Sequence, residues 1–219
     1  MIKVLEFLKE LARNNNREWF QENKKWYDES RDKFLFLTEV MINEIRKFDP
    51  EVPVLSPKDC MFRIFRDVRF SNDKRPYKTN FGSFIAKGGR KSMHAGYYFH
   101  IEPEESFLGG GIYMPPAEPL KLVREYIAQH GEELLSIIEK PEFKKVYPEF
   151  YDDQLKTAPK GFPKDHEYID LLRYRSFIFS TSLTIDDITG EDYIQKMVHC
   201  FKVLQPFNRF LNSALEKNN

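Results

Sequence analysis

The feature that most constrains this chain is the segment of residues 60–85, in which charged side chains interrupt an apolar sequence at short, regular intervals. Residues 61–70 read as a β-strand, because successive side chains of a strand point to opposite faces. One face would hold Met61, Arg63, Phe65, Asp67 and Arg69, and the other Phe62, Ile64, Arg66, Val68 and Phe70. Arg66 would then lie on an apolar face, where an unpaired guanidinium is costly. It therefore needs a carboxylate, backbone carbonyls, an anionic ligand, or a bulge that turns it outward.

The composition supports a sizeable core and disfavours a polyanionic partner. Of the 219 residues, 41% are hydrophobic and 15% are aromatic, which is enough for one generous domain. The 34 lysine and arginine residues balance the 34 aspartate and glutamate residues, whereas nucleic-acid-binding proteins usually carry a basic excess. Two cysteines suit a reducing compartment, and we see no signal peptide or bilayer-length apolar run. We expect a cytoplasmic protein with no membrane partner.

Periodicity predicts helices on both sides of a sheet. Helical spacing predicts a first helix within residues 2–12 and a long amphipathic helix over residues 23–47. After the central strand, alternation predicts further strands over residues 77–85, 94–102 and 106–114. The short turns between these strands indicate an antiparallel meander. Helices follow, with one more strand at residues 176–183 and a final helix from Asp192.

The predicted fold class is therefore α+β, with an antiparallel meander sheet packed by N-terminal and C-terminal helices. No repeat or low-complexity linker interrupts the chain, so we expect a single domain over residues 1–219. Its N-terminal helices would occupy residues 1–50, its sheet residues 58–114, and a helical part with one further strand residues 117–219.

The arginines of the central segment suggest a site for a small anion. Guanidinium groups bind phosphate and carboxylate oxygens bidentately, and Asp67 would orient an arginine or act as a base. The candidate ligand-binding residues are Arg63, Arg66, Asp67, Arg69, Asp73, Lys74, Tyr77 and Lys78. Secondary candidates, which would supply a hydroxyl, an imidazole or an approachable backbone N–H, are Tyr97, His100, Gly110 and Tyr113. No residue is assigned a catalytic role.

Two alternatives stay open. In the first, the arginines and aspartates form a buried network that braces the core of a structural or protein-interaction module. In the second, the Arg/Lys face with its interleaved Phe and Tyr residues binds nucleic acid, a partner that the zero net charge disfavours. The oligomeric state is not indicated.

No metal or cofactor is expected. His100 and Glu102 share a strand face and would make two metal ligands, but no third ligand stands at a recognised spacing. The glycine-rich motifs of nucleotide-binding loops and the Gly-x-Ser-x-Gly motif of hydrolases do not occur.

Several motifs together resemble the signature of a bacterial family, domain of unknown function 2461. They are R-x-x-R-D-x-R-F at residues 63–70, D-K-x-x-Y-K at 73–78, A-G-Y-Y-F-H-I at 95–101, S-F-L-G-G-G-I-Y at 106–113, N-N-x-x-x-W-F at 14–20 and P-K-G-F at 159–162. The resemblance extends over nearly the whole chain. It implies a family whose members have about this length and no established activity. Because it brings no catalytic residues, function must be argued from the side chains.

Overall fold

A computed structural model of the chain describes residues 1–216, which form nine helices and one four-stranded sheet. The N-terminal helices are α1 (Ile2–Arg13), α2 (Arg17–Glu22), α3 (Lys24–Arg46) and α4 (Pro57–Cys60). The strands are β1 (Phe81–Ile85), β2 (Gly96–Ile101), β3 (Phe107–Ile112) and β4 (Phe177–Ser182). The remaining helices are α5 (Ala117–Ile138), α6 (Pro141–Val146), α7 (Ile169–Leu172), α8 (Ile185–Thr189) and α9 (Tyr193–Glu216). A short 3₁₀ turn, Gly89–Lys91, lies between β1 and β2.

The sheet is an antiparallel meander in the order β1-β2-β3-β4, with helices before and after it. This confirms the predicted α+β class. The strands β2, β3 and β4 lie within the predicted ranges 94–102, 106–114 and 176–183, whereas β1 occupies only the second half of the predicted range 77–85.

The prediction of a regular strand over residues 61–70 is wrong. This segment pairs with residues 76–83 through isolated bridges, Met61 with Ser83 and Phe65 with Tyr77. Its faces do not alternate, because Phe70 and Phe65, predicted on opposite faces, are both exposed. One reason is Pro76, whose carbonyl accepts from the Arg66 N–H at 2.9 Å but which has no N–H to extend the ladder. Arg66 consequently does not lie on an apolar strand face.

The chain divides into two compact units, each discontinuous in sequence. Unit 1 comprises residues 1–90, 98–108 and 182–199, and unit 2 comprises residues 91–97, 109–181 and the described residues from Cys200 onward. The expectation of a single domain therefore stays a prediction.

The core of unit 1 is aromatic and lies between its helices and the sheet. The Phe7 ring of α1 stacks on Phe81 of β1 at 6.3 Å, and the Phe34 ring of α3 lies 5.2 Å from Phe99 of β2. Phe99 and Ile101 are fully buried in this core. Since side chains alternate along a strand, the residues between and beside them point to the opposite face of β2.

In unit 2, the glycine run of β3 lets neighbouring backbone approach closely. A Cβ on Gly110 would lie 2.1 Å from the Gly96 carbonyl oxygen and 2.6 Å from a Leu204 methyl group. Gly111 has φ +113°, and a Cβ there would lie 1.9 Å from the Phe177 carbonyl oxygen. Both positions therefore require glycine for packing within the fold.

Candidate functional site

Three polar side chains line up on the face of β2 that points away from the core of unit 1. Tyr98, His100 and Glu102 alternate with the buried Phe99 and Ile101, and Glu102 follows directly after the strand. The spacing of two residues in an extended chain brings these side chains onto one face as neighbours. We call the three the β2 triad.

The β2 triad is a continuous chain of hydrogen bonds centred on the imidazole. His100 Nε2 lies 2.9 Å from Glu102 Oε2, and His100 Nδ1 lies 3.1 Å from the Tyr98 hydroxyl oxygen and 3.3 Å from Asn80 Nδ2. An ionised carboxylate only accepts, so the proton is assigned to Nε2, which donates to Glu102. In the neutral imidazole Nδ1 is then an acceptor for Tyr98 or Asn80. The His100 side chain is only 15% exposed, so this orientation is held inside the protein.

The carboxylate of the β2 triad is held at both oxygens. The Thr79 hydroxyl donates to Glu102 Oε1, while His100 donates to Oε2. The hydrogen bond from His100 is the main cause that lowers the pKa of Glu102, and the Thr79 hydroxyl and the charge of Arg75 lower it further against an opposing effect of burial. Glu102 is therefore ionised at neutral pH and accepts hydrogen bonds at both oxygens.

The backbone beside this carboxylate is fixed by a buried serine. Ser106 Oγ accepts from the Glu102 N–H at 2.9 Å and donates to the Glu102 carbonyl at 2.6 Å. Both backbone groups at the end of β2 are thereby satisfied by one side chain, which fixes the position of Glu102.

The phenol of the triad is enclosed by aromatic rings. The Tyr98 ring lies 6.1 Å from Phe62 and 5.6 Å from Phe107, and the His100 ring stacks on Phe107 at 4.7 Å. Burial raises the pKa of Tyr98 to about 12, with the charge of Glu102 contributing. The phenol is therefore protonated at neutral pH and acts as a hydrogen-bond donor.

A cation, Lys78, lies beside the aromatic ring that contacts Tyr98, and a second cation, Arg63, is near Lys78. Lys78 Nζ is 5.6 Å from the centre of the Phe62 ring, which itself contacts Tyr98. Burial lowers the pKa of Lys78, and the positive charge of Arg63 lowers it further. Among the described residues, neither Lys78 nor Arg63 forms an ion pair. The charge of Arg63 also lowers the pKa of Asp67, so Arg63 is partly compensated by that carboxylate. An anion close to both Lys78 and Arg63 would reduce the repulsion between them.

The other predicted arginines are occupied by aspartates of their own loop. Arg66 Nη1 binds Asp73 Oδ2 at 2.6 Å, and Asp73 also binds Arg75 at 2.7 Å. Arg69 binds both oxygens of Asp67, with its Nε and Nη2 atoms at 3.0 and 2.7 Å. The structure therefore brings Arg66 and Arg69 to different carboxylates within residues 66–75. Their ligand-binding role stays a prediction.

Two further candidates of this segment, Lys74 and Tyr77, have different surroundings. Lys74 Nζ donates to the Val68 carbonyl at 3.1 Å on the exposed loop. Tyr77 is buried and stacks on Phe20 at 4.0 Å, and its backbone N–H and C=O both bind the Asn15 side chain. Tyr77 is thus a core residue, whereas the Lys74 ammonium remains accessible.

Of the four secondary candidates, His100 belongs to unit 1 and the other three to unit 2. Tyr97 is buried with its ring 5.3 Å from Phe201, and Gly110 is packed as described above. Tyr113 is 63% exposed and lies edge-on to Tyr151 at 6.0 Å.

Comparison with known proteins defines the family. Residues 3–210 match the model of the family described as "Conserved hypothetical protein (DUF2461)". The chain belongs to this family. No curated protein and no solved structure matches the chain. Membership in DUF2461 confirms the resemblance found in the sequence and leaves the chemistry to be argued from the site.

Within this member of DUF2461, sequence reasoning selected only one residue of the β2 triad as a candidate. Glu102 was considered only as a metal ligand beside His100, and Tyr98 was missed, together with the supporting residues Thr79 and Asn80. The available signal was the alternation Y-F-H-I-E at residues 98–102, in which every second side chain is polar or ionisable. In residues 1–216 no group of three or more His, Cys, Asp or Glu side chains is arranged to hold a metal ion. No helix of this part of the chain is long and apolar enough to span a bilayer.

Proposed function

We propose that this protein binds a small phosphorylated or carboxylated molecule on the outward face of β2 and exchanges a proton with it through the β2 triad. The observation that carries this proposal is the unbroken Tyr98–His100–Glu102 hydrogen-bond chain, with Lys78 beside the Phe62 ring that contacts Tyr98. A base oriented by a carboxylate and linked to a hydroxyl is the arrangement that general acid–base chemistry requires.

The cations supply the attraction for the anion. A partly desolvated ammonium interacts more strongly with an oxyanion than a fully hydrated one, because the surrounding dielectric is lower. The Arg63 guanidinium adds a second set of donors, and a bound anion would offset the repulsion between the two cations. Binding would therefore raise the pKa of Lys78 from its lowered position.

The triad supplies the proton path. In the proposed step, a proton leaves the ligand for the Tyr98 oxygen while the phenol passes its own proton to His100 Nδ1. Glu102, which remains ionised, stabilises the imidazolium that forms. The reverse transfer would return the proton to the product, so the triad ends as it began.

A structural alternative uses the same contacts. Each polar atom of the triad has a partner inside the protein, so the chain of hydrogen bonds would also serve only to fix β1 against β2. The two readings differ in one respect: only the proposed function gives Lys78 and Arg63 an anion to bind.

Calorimetric titration with inorganic phosphate and with sulfate tests the anion site. Wild-type protein is expected to bind these anions, and Lys78→Met is expected to lose at least about tenfold in affinity. The control variant Lys25→Met, which removes an exposed lysine on α3, is expected to bind as wild type. Equal affinity of wild type and Lys78→Met would overturn the anion site.

The same titration tests the triad when sulfate binding is repeated in buffers of different ionisation enthalpy. A bound anion favours protonation of a neighbouring imidazole, so wild type is expected to take up protons on binding. His100→Gln, which retains hydrogen-bonding groups without titrating, is expected to bind sulfate with less proton uptake; the uptake that remains belongs to Lys78, whose pKa binding also raises. Identical proton uptake in both proteins would remove His100 from the site.

A further inference from the structure

The loop of residues 66–75 is closed by its own charged side chains. Arg66 Nη1 reaches across it to Asp73 at 2.6 Å and to the Arg75 carbonyl at 3.3 Å. From the other side, Lys74 Nζ donates to the Val68 carbonyl at 3.1 Å. Several hydrogen bonds of the predicted anion-binding residues are therefore made within the loop and order it.

The ordered loop presents an aromatic ring to solvent. Phe70 is 95% exposed, the highest value among the large apolar side chains that the structure describes. The Arg69 guanidinium lies 5.8 Å from the centre of its ring, and Asp67 holds that guanidinium through two hydrogen bonds. An aromatic ring held outward on an ordered loop is available to stack on a flat partner.

The loop that carries this ring is basic, although the chain as a whole is neutral. Residues 66–75 contain four Lys or Arg residues against two Asp residues, a net charge of +2, while the full chain sums to zero. The loop that carries Phe70 therefore has an excess of positive charge, for which a polyanion is the complementary partner.

We propose that the loop of residues 66–75 binds single-stranded nucleic acid, with the Phe70 ring stacked on a base and the surrounding cations on phosphates. An aromatic platform among cations is how proteins bind single strands with little sequence preference. An anionic membrane fits less well, because Arg69, Ser71 and Asn72 flank the ring and would have to enter the bilayer with it. The inference does not depend on His100 or on the proton path.

Fluorescence anisotropy with a labelled oligothymidylate, with a duplex of equal length as comparison, tests the inference. Wild type is expected to bind the single strand, with an affinity that falls steeply as salt increases. Phe70→Ala is expected to weaken binding about 10- to 100-fold, which corresponds to the loss of one base–aromatic stack. Phe70→Trp is expected to restore binding and to show quenching of the new indole by the bound bases.

A matched control is available on the same unit. Phe36 of α3 is 64% exposed and lies outside the basic loop, so Phe36→Ala is expected to bind the oligonucleotide as wild type. No binding of the single strand at low salt, or equal losses in Phe70→Ala and Phe36→Ala, would overturn the inference. So would a Phe70-dependent affinity for phosphatidylserine vesicles without affinity for the oligonucleotide.

Discussion

The hydroxyl of Tyr98 lies over Gly82 of the neighbouring strand, at a point where a side chain would stand. A Cβ built on Gly82 would lie 2.5 Å from the Tyr98 hydroxyl oxygen and 3.1 Å from its Cζ atom. Because Gly82 on β1 has no side chain, the Tyr98 hydroxyl has room to reach His100. The position of the hydroxyl in the β2 triad therefore depends on a residue that contributes no functional group.

Gly82→Ala is expected to displace the Tyr98 ring and to destabilise the protein by about 1–3 kcal/mol, the usual cost of overpacking. In a Tyr98→Phe background the nearest clashing atom is absent, so the same substitution is expected to cost less. Denaturant unfolding of the four proteins in this cycle measures the difference. An equal cost in both backgrounds would mean that the hydroxyl does not occupy the space over Gly82.

The pKa of Tyr98 predicts a delayed phenol ionisation. Burial raises this pKa from 10.0 to about 12, so the phenol is expected to remain protonated where an exposed tyrosine is already ionised. Its contribution to stability is present below the ordinary pKa and is lost as the pH rises toward about 12. Phenolate absorbance of wild type minus that of Tyr98→Phe isolates this group. A midpoint near 10 in the difference titration would contradict the burial of the hydroxyl.

Glu102→Gln is expected to destabilise the protein by about 1.5–3 kcal/mol at neutral pH, because hydrogen bonds to a charged carboxylate are among the stronger ones. The pKa of Glu102 is lowered in the folded state, chiefly by His100. The native protein therefore binds fewer protons than the unfolded chain between the lowered and ordinary pKa values, so stability rises with pH there. The stability difference between wild type and Glu102→Gln is thus expected to be fully present above pH 4.5, the ordinary pKa of a glutamate, and to shrink as the pH falls below it.

Urea unfolding across this pH range measures the effect of Glu102. Glu29→Gln, which neutralises an exposed carboxylate on α3, serves as the matched control and is expected to leave stability nearly unchanged. A stability difference between wild type and Glu102→Gln that is independent of pH would show that the charge of Glu102 is not what stabilises the site.

Asp73→Asn is expected to loosen the loop of residues 66–75, because it weakens the hold of one carboxylate on both Arg66 and Arg75. Hydrogen bonds from Arg75, and then from Arg66, hold the pKa of Asp73 well below its usual range, so the loop is expected to stay ordered through mildly acidic pH. Limited digestion with trypsin reports on the loop, since it contains several Lys and Arg residues. Faster cleavage there than in wild type is expected.

Asp165→Asn removes an exposed carboxylate elsewhere and provides the control for that digestion. If Asp73→Asn and Asp165→Asn were cleaved at the same rate within residues 66–75, the ion pairs of the loop would have no role in ordering it.

The sequence predicted the sheet well where alternation coincided with burial. Phe99 and Ile101 face the core as their spacing indicates, and β2, β3 and β4 lie within their predicted ranges. Alternation wrongly predicted a strand over residues 61–70, because charges two residues apart also occur in a loop that is held by local Arg–Asp pairs. The requirement that Arg66 find a carboxylate was anticipated, but its partner Asp73 was not identified.

The candidate site was only partly predictable for a related reason. That His100 and Glu102 share a face follows from their spacing, whereas the direct hydrogen bond between them depends on side-chain orientation. The contact of Tyr98 with Gly82 depends on which residues of β1 and β2 lie opposite each other, and a single sequence does not specify this register.

Ser106 helps to fix the register of β2, on which both the core and the candidate site depend. If β2 shifted by one position, Phe99 would leave the core and the His100 imidazole would enter it, so the packing of one face and the hydrogen bonds of the other would be lost together. By binding the backbone N–H and C=O of Glu102, Ser106 opposes that shift directly after the end of the strand. Molecules with a misaligned β2 would lose the aromatic core and the β2 triad together, so they would unfold more readily and be more open to proteolysis.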